Sequence, residues 1–539
     1  MASARRRAVL PPLTGGVNYT TDVFSIASNQ AQYIKNFHID PNGQAYSRGG
    51  SRLLNTTLFD HAVTSIYDYR RPDGSSYKVT TLVTAGDELY TYNWTTGLAT
   101  SIANLSGSGR PTWATFQDDN GVSFAFMANG TDFIKYNGTN VTNVVETITS
   151  IDYYPWTNCA PRYIIDYDDR LIACGCDSDP YKVFISTIND GTDFVPDKTT
   201  PSAPTPVYWT IKGQSGNRVT GCCPVYNYLA IFQYNRVNII TEADPESSTS
   251  QQITVSTEYG TTSYWSIQSL GNQLFFADNA HLYIGTLRAA VENGLEVKPI
   301  DDNITDKYGN PLNYADIVSV YDAQNQEIQW AIKDTAIGGY ETVLVYNVAL
   351  SEKSVENPYV WSGWFTGYTA YTLSTVERDG RKYVVRGDAN GYMYIMEEDE
   401  QFKDETWVAG ALVETAVAYE IRCAPVAPGG LYAVKRARAF CPTLYQRYDA
   451  AVNIEMAVDG TYFPAISVDI QNAAPYWDSG TYEDVLWTDK PIMVVPVTLD
   501  LPFHYIQFYI TCDGSNAREQ VAFSGGELRY QMHNPRKDY

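Results

Sequence analysis

The sequence predicts an all-β chain, and three observations carry that reading. Aromatic residues make up 14% of the 539 positions, with 43 tyrosines against 19 phenylalanines. Tyrosine joins an apolar ring to a wet hydroxyl, which suits half-buried strands and subunit contacts. Short apolar runs recur between Asn-Gly and Asp-Gly dipeptides, which accept positive φ and so close antiparallel hairpins. Helical periodicity is scarce throughout.

Taken in order, residues 28–37 fit a short helix or a strand, and the turn Asp40-Pro41-Asn42-Gly43 follows. Residues 63–69, 78–84 and 88–92 read as strands, separated by the turns Arg71-Pro72-Asp73-Gly74 and Gly86-Asp87. Residues 122–128 turn at Asn129-Gly130 into 133–136, and Asn137-Gly138 turns again. The same grammar returns at 169–174, 182–186, 228–232, 237–240, 271–276, 281–284, 329–332, 343–347, 382–386 and 392–395. A four-stranded sheet of such strands cannot bury both faces alone, and radial stacking of several solves this as a β-propeller. Residues 62–400 leave room for six to eight blades, at about 40–50 residues each. A pair of β-sandwiches is the alternative. Beyond the acidic break Glu397-Glu398-Asp399-Glu400 the strands lengthen, at 433–440, 451–458 and 505–510, with a hairpin turn at Asp459-Gly460. Residues 401–539 are therefore expected as a C-terminal β-sandwich, and residues 1–61 as an N-terminal segment.

The charge argues against several partners. With 61 acidic and 38 basic residues the formal charge is −23, which disfavours binding of phosphate backbones through a basic surface. No apolar run reaches about 18 residues, so no membrane-spanning helix is expected. Arg5-Arg6-Arg7 followed by Ala8-Val9-Leu10 resembles a secretion signal for three apolar positions only, and Pro11-Pro12 cuts it short.

Chemistry-bearing motifs are few. Among the eight cysteines, Cys174-Gly175-Cys176 and Cys222-Cys223 lack zinc-knuckle spacing, and all eight are read as small buried thiols. The histidines His38, His61, His281, His504 and His533 lie at no metal-ligand spacing and are expected on the surface or in turns. Neither a Gly-x-Ser-x-Gly elbow nor a phosphate loop is present. Asp166-Tyr167-Asp168-Asp169 gathers carboxylates that could run glycoside hydrolysis or bind calcium, yet a solvated turn before the strand at Leu171 is the expected role. The stretch from Ser186 to Phe194 fails the aspartate-box spacing of propeller sialidases, because Asp190 and Gly191 are adjacent. Trp156, Trp209, Trp265, Trp361 and Trp364 could line a sugar groove, with core or interface use expected instead. No catalytic, cofactor-binding or metal-ligating residue is nominated, and the chain is not expected to be an enzyme.

One resemblance accompanies this reading. Leu13-Thr14-Gly15-Gly16-Val17, Asn29-Gln30-Ala31, Asn36-Phe37, Gly43 and Arg48-Gly49-Gly50 resemble the N-terminal segment of the tail nozzle (stabilisation or tail tubular) proteins of short-tailed bacteriophages. Gly109-Arg110-Pro111-Thr112-Trp113-Ala114-Thr115-Phe116, Asn129-Gly130-Thr131-Asp132 and Lys135-Tyr136-Asn137-Gly138-Thr139 are similar to the first blades of that family. So are Arg170-Leu171, Ile185-Ser186, Ile231-Phe232, Glu258-Tyr259-Gly260 and Leu274-Phe275-Phe276. The similarity spans most of residues 10–400, as weak motifs with no single diagnostic one. It implies a structural virion subunit without cofactor, made in the host cytoplasm. Such subunits form a ring, expected to be a hexamer, below the portal and adaptor, and the segment 1–61 is expected to dock to the ring or adaptor. The ring extends the DNA ejection channel, tail fibres or a needle attach to it, and DNA passes through without sequence-specific binding. An acidic excess turned inward would keep DNA off the channel wall. The alternative is a propeller-type carbohydrate-binding or glycan-hydrolysing tail protein.

Overall fold

The computed structural model describes residues 5–532, apart from 20–21, 56, 145–159, 195–206, 212, 214–216, 246, 288–294, 309–313, 335–338, 355–357, 399–400, 409, 447–449, 471–491, 495 and 513–520. The chain is all-β, with two short α-helical turns, Thr305–Tyr308 and Val348–Lys353, among the described residues. The ambiguous stretch near the start resolves as a strand, Ala31–Lys35.

Hairpins build the first two thirds of the chain into successive four-stranded antiparallel sheets. The first sheet comprises Val63–Asp73, Ser76–Ala85, Glu88–Asn93 and Leu98–Asn104. The second runs from Thr112–Gln117 to Val141–Asn143, the third from Tyr163–Tyr167 to Tyr208–Thr210, and the fourth from Val219–Val225 to Gln252–Ser256. The fifth runs from Gln268–Leu270 to Leu295–Pro299, and the sixth set is Val318–Asp322, Glu327–Asp334, Gly339–Asn347 and Trp361–Phe365. Thr372–Arg378, Arg381–Gly387 and Met393–Met396 begin the seventh.

The turn chemistry works as the dipeptides require. Asp168 and Asp169 (φ 56° and 53°), Asp379 and Gly380 (51° and 76°), and Asp459 and Gly460 (49° and 81°) each form a two-residue loop with both residues left-handed. That is the geometry whose twist matches the flanking strands. The carboxylate cluster at 166–169 is therefore a hairpin turn.

Each sheet is too small to shelter its own faces, so neighbours share cores. Phe116, Phe126, Phe133, Ile164, Leu171 and Phe184 fill the space between the second and third sheets. Val225, Phe232, Leu274 and Phe276 do the same between the fourth and fifth. The first strand of each sheet lies beside the first strand of the next, and Thr372–Arg378 lies beside Val63–Asp73. Across that last seam the Glu377 amide donates to Asp68 Oδ2 at 2.8 Å, and Val63, Ile66, Val376 and Val385 form one apolar cluster.

The segment 1–61 does not stand apart from these bodies. Ser51–Leu53 pairs with Met393–Met396 and supplies the fourth strand of the seventh sheet, so a strand preceding the first sheet completes the last. Ala31–Lys35 bridges Trp361–Phe365 of the sixth set and Tyr419–Cys423, which extends that set into a nine-stranded sheet through Ile506–Cys512, Ala450–Val458 and Thr461–Ile470. A second layer contains Phe37–Ile39, Ala45–Ser47, Val521–Met532, Lys435–Gln446 and Val497–Phe503, and Arg5–Leu10 adds to the edge of Val521–Met532. The two layers meet face to face, with the Phe440 and Phe508 rings stacked 3.7 Å apart.

Candidate functional site

All three side chains of Phe37–Ile39 are buried, which corrects the expectation that His38 is a surface or turn histidine. Its Nδ1 lies 2.6 Å from Glu327 Oε2, and its Nε2 lies 2.8 Å from Glu397 Oε1. Tyr46 stacks on the ring and Phe365 meets it edge-on. A carboxylate at each nitrogen asks both to donate, which only the imidazolium can do. Burial opposes that charge, yet Glu397 and Glu327 outweigh it and hold the pKa well above the usual 6.5. Glu327 also accepts from Ser362 Oγ at 2.6 Å and from Asn347 Nδ2 at 3.4 Å. Asn347 in turn caps the turn Val348–Lys353 through the Leu350 amide and donates to the Ile39 carbonyl. The histidine thus ties the N-terminal strand to the sixth strand set and to the residue that follows the seventh sheet.

A second buried cation stands nearby in the chain. Arg48 forms a forked pair with Asp404, at 2.7 and 3.2 Å, and donates to the carbonyls of Gly49 and Thr366. Its Nε donates to Asn36 Oδ1 at 3.1 Å, and its guanidinium lies over Tyr368. Asn36 adopts φ 61° and also binds the Thr366 amide and the Ala418 carbonyl, so one side chain holds three chain segments in place.

Beside the His38 cluster, between the sixth and seventh sheets, lies a small hollow, partly open to solvent. Phe365, Val384 and Met396 contribute apolar surface, Gln329 and Asp322 lie on the sixth-sheet side, and Gln324, Lys382 and Glu397 also line it. Asp322 accepts from the amides of Gln324 and Asn325 and from Asn325 Nδ2. Burial, reinforced by Glu397 and opposed by His38, pushes its carboxyl up to about 6.

The remaining histidines are less enclosed. His61 and His504 are exposed, His504 pairing with Asp459 at 3.1 Å. His281 is half-exposed and sits 3.0 Å from Asp301, whose carboxyl is buried and pushed up to about 6 by that burial despite the neighbouring ring. His533 lies outside the described residues. Cys174, Cys176, Cys222, Cys423, Cys441 and Cys512 are buried thiols, Cys223 is half-buried, and Cys159 lies outside the described residues. Trp361 and Trp364 are core residues; Trp209 and Trp265 are half-buried and donate to the carbonyls of Ala243 and Pro111. Trp156 lies outside the described residues. Among the described residues no three His, Cys, Asp or Glu side chains form a group that could hold a metal ion. No helix among them is long and apolar enough to cross a membrane.

Sequence reasoning missed both His38 and Arg48 as buried charges. Their partners Glu327, Glu397 and Asp404 are 289, 359 and 356 residues away. The one local sign was the flanking of His38 by Phe37 and Ile39.

Comparisons with known proteins add little to this geometry. No family model matches the chain, and no curated protein does. Among solved structures, a chain of the crystal structure of a mitotic checkpoint complex aligns over 64% of this chain and 93% of its own length, at 11% identity and a TM-score of 0.37.

Proposed function

We propose that this protein is a structural subunit of a bacteriophage tail, a nozzle protein whose copies assemble into a ring, hexameric in our reading, that extends the DNA ejection channel below a portal and adaptor. The seven strand sets form a seven-bladed β-propeller in this reading, closed by the strand Ser51–Leu53, with the C-terminal sandwich fused to the sixth blade.

The observation that carries the proposal is what the residues of the resemblance do. Leu13–Val17, Asn29–Ala31 and Gly43 lie apart in sequence, yet they bond to one another. The Gly15 amide donates to the Asn29 carbonyl at 2.9 Å, the Ala31 amide to the Gly16 carbonyl at 2.9 Å, and the Leu13 amide to the Gly43 carbonyl at 2.8 Å. Gly16 adopts φ 65°, and a side chain there would collide with the Trp361 carbonyl. Asn36 and Arg48 belong to the forked cluster described above, and a side chain at Gly50 would collide with the Lys403 backbone. In this reading these motif residues help lock propeller to sandwich, so a chain sharing them shares the demands of that junction.

Of the five tryptophans offered for a sugar groove, Trp361 and Trp364 are consumed by the core, which weakens the carbohydrate reading. The buried carboxylate Glu327 is likewise committed to His38, Ser362 and Asn347. A structural subunit needs no catalytic group, and its interfaces suit a chain rich in tyrosine and poor in charge.

Light scattering on the purified chain, alone and with a portal–adaptor complex, tests the proposal. The expected result is a ring of about six times the 60.2 kDa chain mass, formed alone or on that complex. A monomer that stays monomeric in both conditions, or turnover of a host glycan, would overturn it.

A further inference from the structure

We propose that the outer face of the second sandwich layer docks on the acidic hairpin at 166–169 of a second copy of this chain. The contact rests on the ring reading and names the two surfaces through which neighbouring copies meet.

That face is basic in a chain that is acidic as a whole. Leu528 and Tyr530 are buried in the core, so by strand alternation Glu527, Arg529 and Gln531 point outward. Arg7 lies opposite Arg529 and Val9 opposite Glu527 on one neighbouring strand, and Arg436 lies opposite Gln531 on the other. Glu527 is shared by Arg7 and Arg529, at 3.4 and 2.8 Å, and Asp500 by Arg436 and Arg438, both at 2.6 Å. Four guanidiniums against two carboxylates leave two positive charges among these side chains. The arginines are between 40% and 71% exposed, and Val9 at 70% adds an apolar contact beside them. Arg7 and Arg529 each spend one N–H on Glu527, out of the five that a guanidinium offers.

A second copy supplies the opposite charge. At −23 each, copies repel at long range, so a ring of them needs locally opposite surfaces where they touch. A ring also joins two different surfaces of the subunit, one to each neighbour. In the acidic run at 397–400, Glu397 and Glu398 are already taken by His38 and Arg52. The hairpin at 166–169 instead presents Asp166, Asp168 and Asp169, all three exposed, at the end of the third sheet. Partial desolvation and the neighbouring Asp169 charge push the Asp166 carboxyl up to about 6, so an incoming cation is favoured there. A phosphate backbone would meet the same arginines, but it carries charge along its whole length and so meets the surrounding acidic surface too. A three-aspartate hairpin concentrates its charge at one point.

The test is sedimentation velocity on the full chain, alone and with the portal–adaptor complex, at 50 and 500 mM NaCl. Assembly of the wild type should weaken at least tenfold at the higher salt, because screening shortens to a few ångströms. Arg436→Glu/Arg438→Glu reverses the face. Asp166→Lys/Asp168→Asn/Asp169→Asn reverses the hairpin and keeps residues that its left-handed turn accepts. Each variant by itself should assemble at least tenfold more weakly than the wild type. An equimolar mixture of the two should regain wild-type assembly, since every reversed surface then meets its complement, and that recovery shows that both variants fold. Assembly that either reversal leaves unchanged, or a mixture no better than its parts, overturns this contact and leaves the ring standing. A wild type that stays monomeric in both conditions overturns ring and contact together. Binding of a short DNA duplex that the face variant loses while its assembly stays intact assigns the face to phosphate and overturns the contact.

Discussion

Removing the Asp404 carboxylate strands a charge at the junction of sandwich and sheets. The Arg48 side chain is fully buried and that of Asp404 is 3% exposed. Asp404→Ala removes both acceptors of the fork and the partner of Ser51 Oγ, which donates to Asp404 Oδ1 at 2.9 Å. The guanidinium keeps the carbonyls of Gly49 and Thr366 and the Asn36 side chain, so its donors are only partly orphaned. It remains protonated, because arginine does not release its proton in proteins. Breaking a buried pair from one side costs about 3–5 kcal/mol, against a whole-protein stability of about 5–15 kcal/mol. Replacing both members with apolar residues of similar size is often neutral. The expected result is therefore a large loss in Asp404→Ala, a comparable loss in Arg48→Met, and recovery of most of it in Arg48→Met/Asp404→Leu. Urea unfolding followed by tryptophan fluorescence reads all three, since Trp361 and Trp364 are buried close to the same seam. If Asp404→Ala costs less than about 1 kcal/mol, as for an exposed pair, or if the double variant is as unstable as the two singles combined, the pair is not the buried lock inferred here.

Two further outcomes follow from the same seam. His38 is charged in the folded state with a raised pKa, so its stabilisation is complete below about pH 6.5 and is lost as pH rises through the folded value. The melting temperature of the wild type should therefore fall toward that of His38→Gln between neutral and alkaline pH, and a constant gap across pH 6–10 would contradict the ion pairs. Gly50→Ala drives a methyl into the Lys403 backbone and should cost about 1–3 kcal/mol or more by chemical denaturation. Gly74→Ala, at a left-handed turn with open space around it, should cost only the backbone strain of about 1–2 kcal/mol.

Local chemistry was readable from the residues alone. An Asp-Gly or Asn-Gly pair between alternating runs specifies a hairpin because positive φ and strand twist are properties of a few adjacent residues. Hence Asp459-Gly460 could be placed on a turn, and the strands beginning at Tyr228 and Lys182 follow from their own patterns. Alternation with a period of two tells which face of a strand is buried, but not against which sheet. That is why Ser51–Leu53 gave no sign of completing a sheet whose other strands begin more than 300 residues later. It is also why His38 read as a surface or turn residue: a polar side chain is admitted to a core by the partners that meet it there, and Glu327 and Glu397 arrive from distant segments that nothing near position 38 announces. Short-range covalent geometry writes the hairpins; the charged locks and the hollow beside them exist only once distant strands have packed.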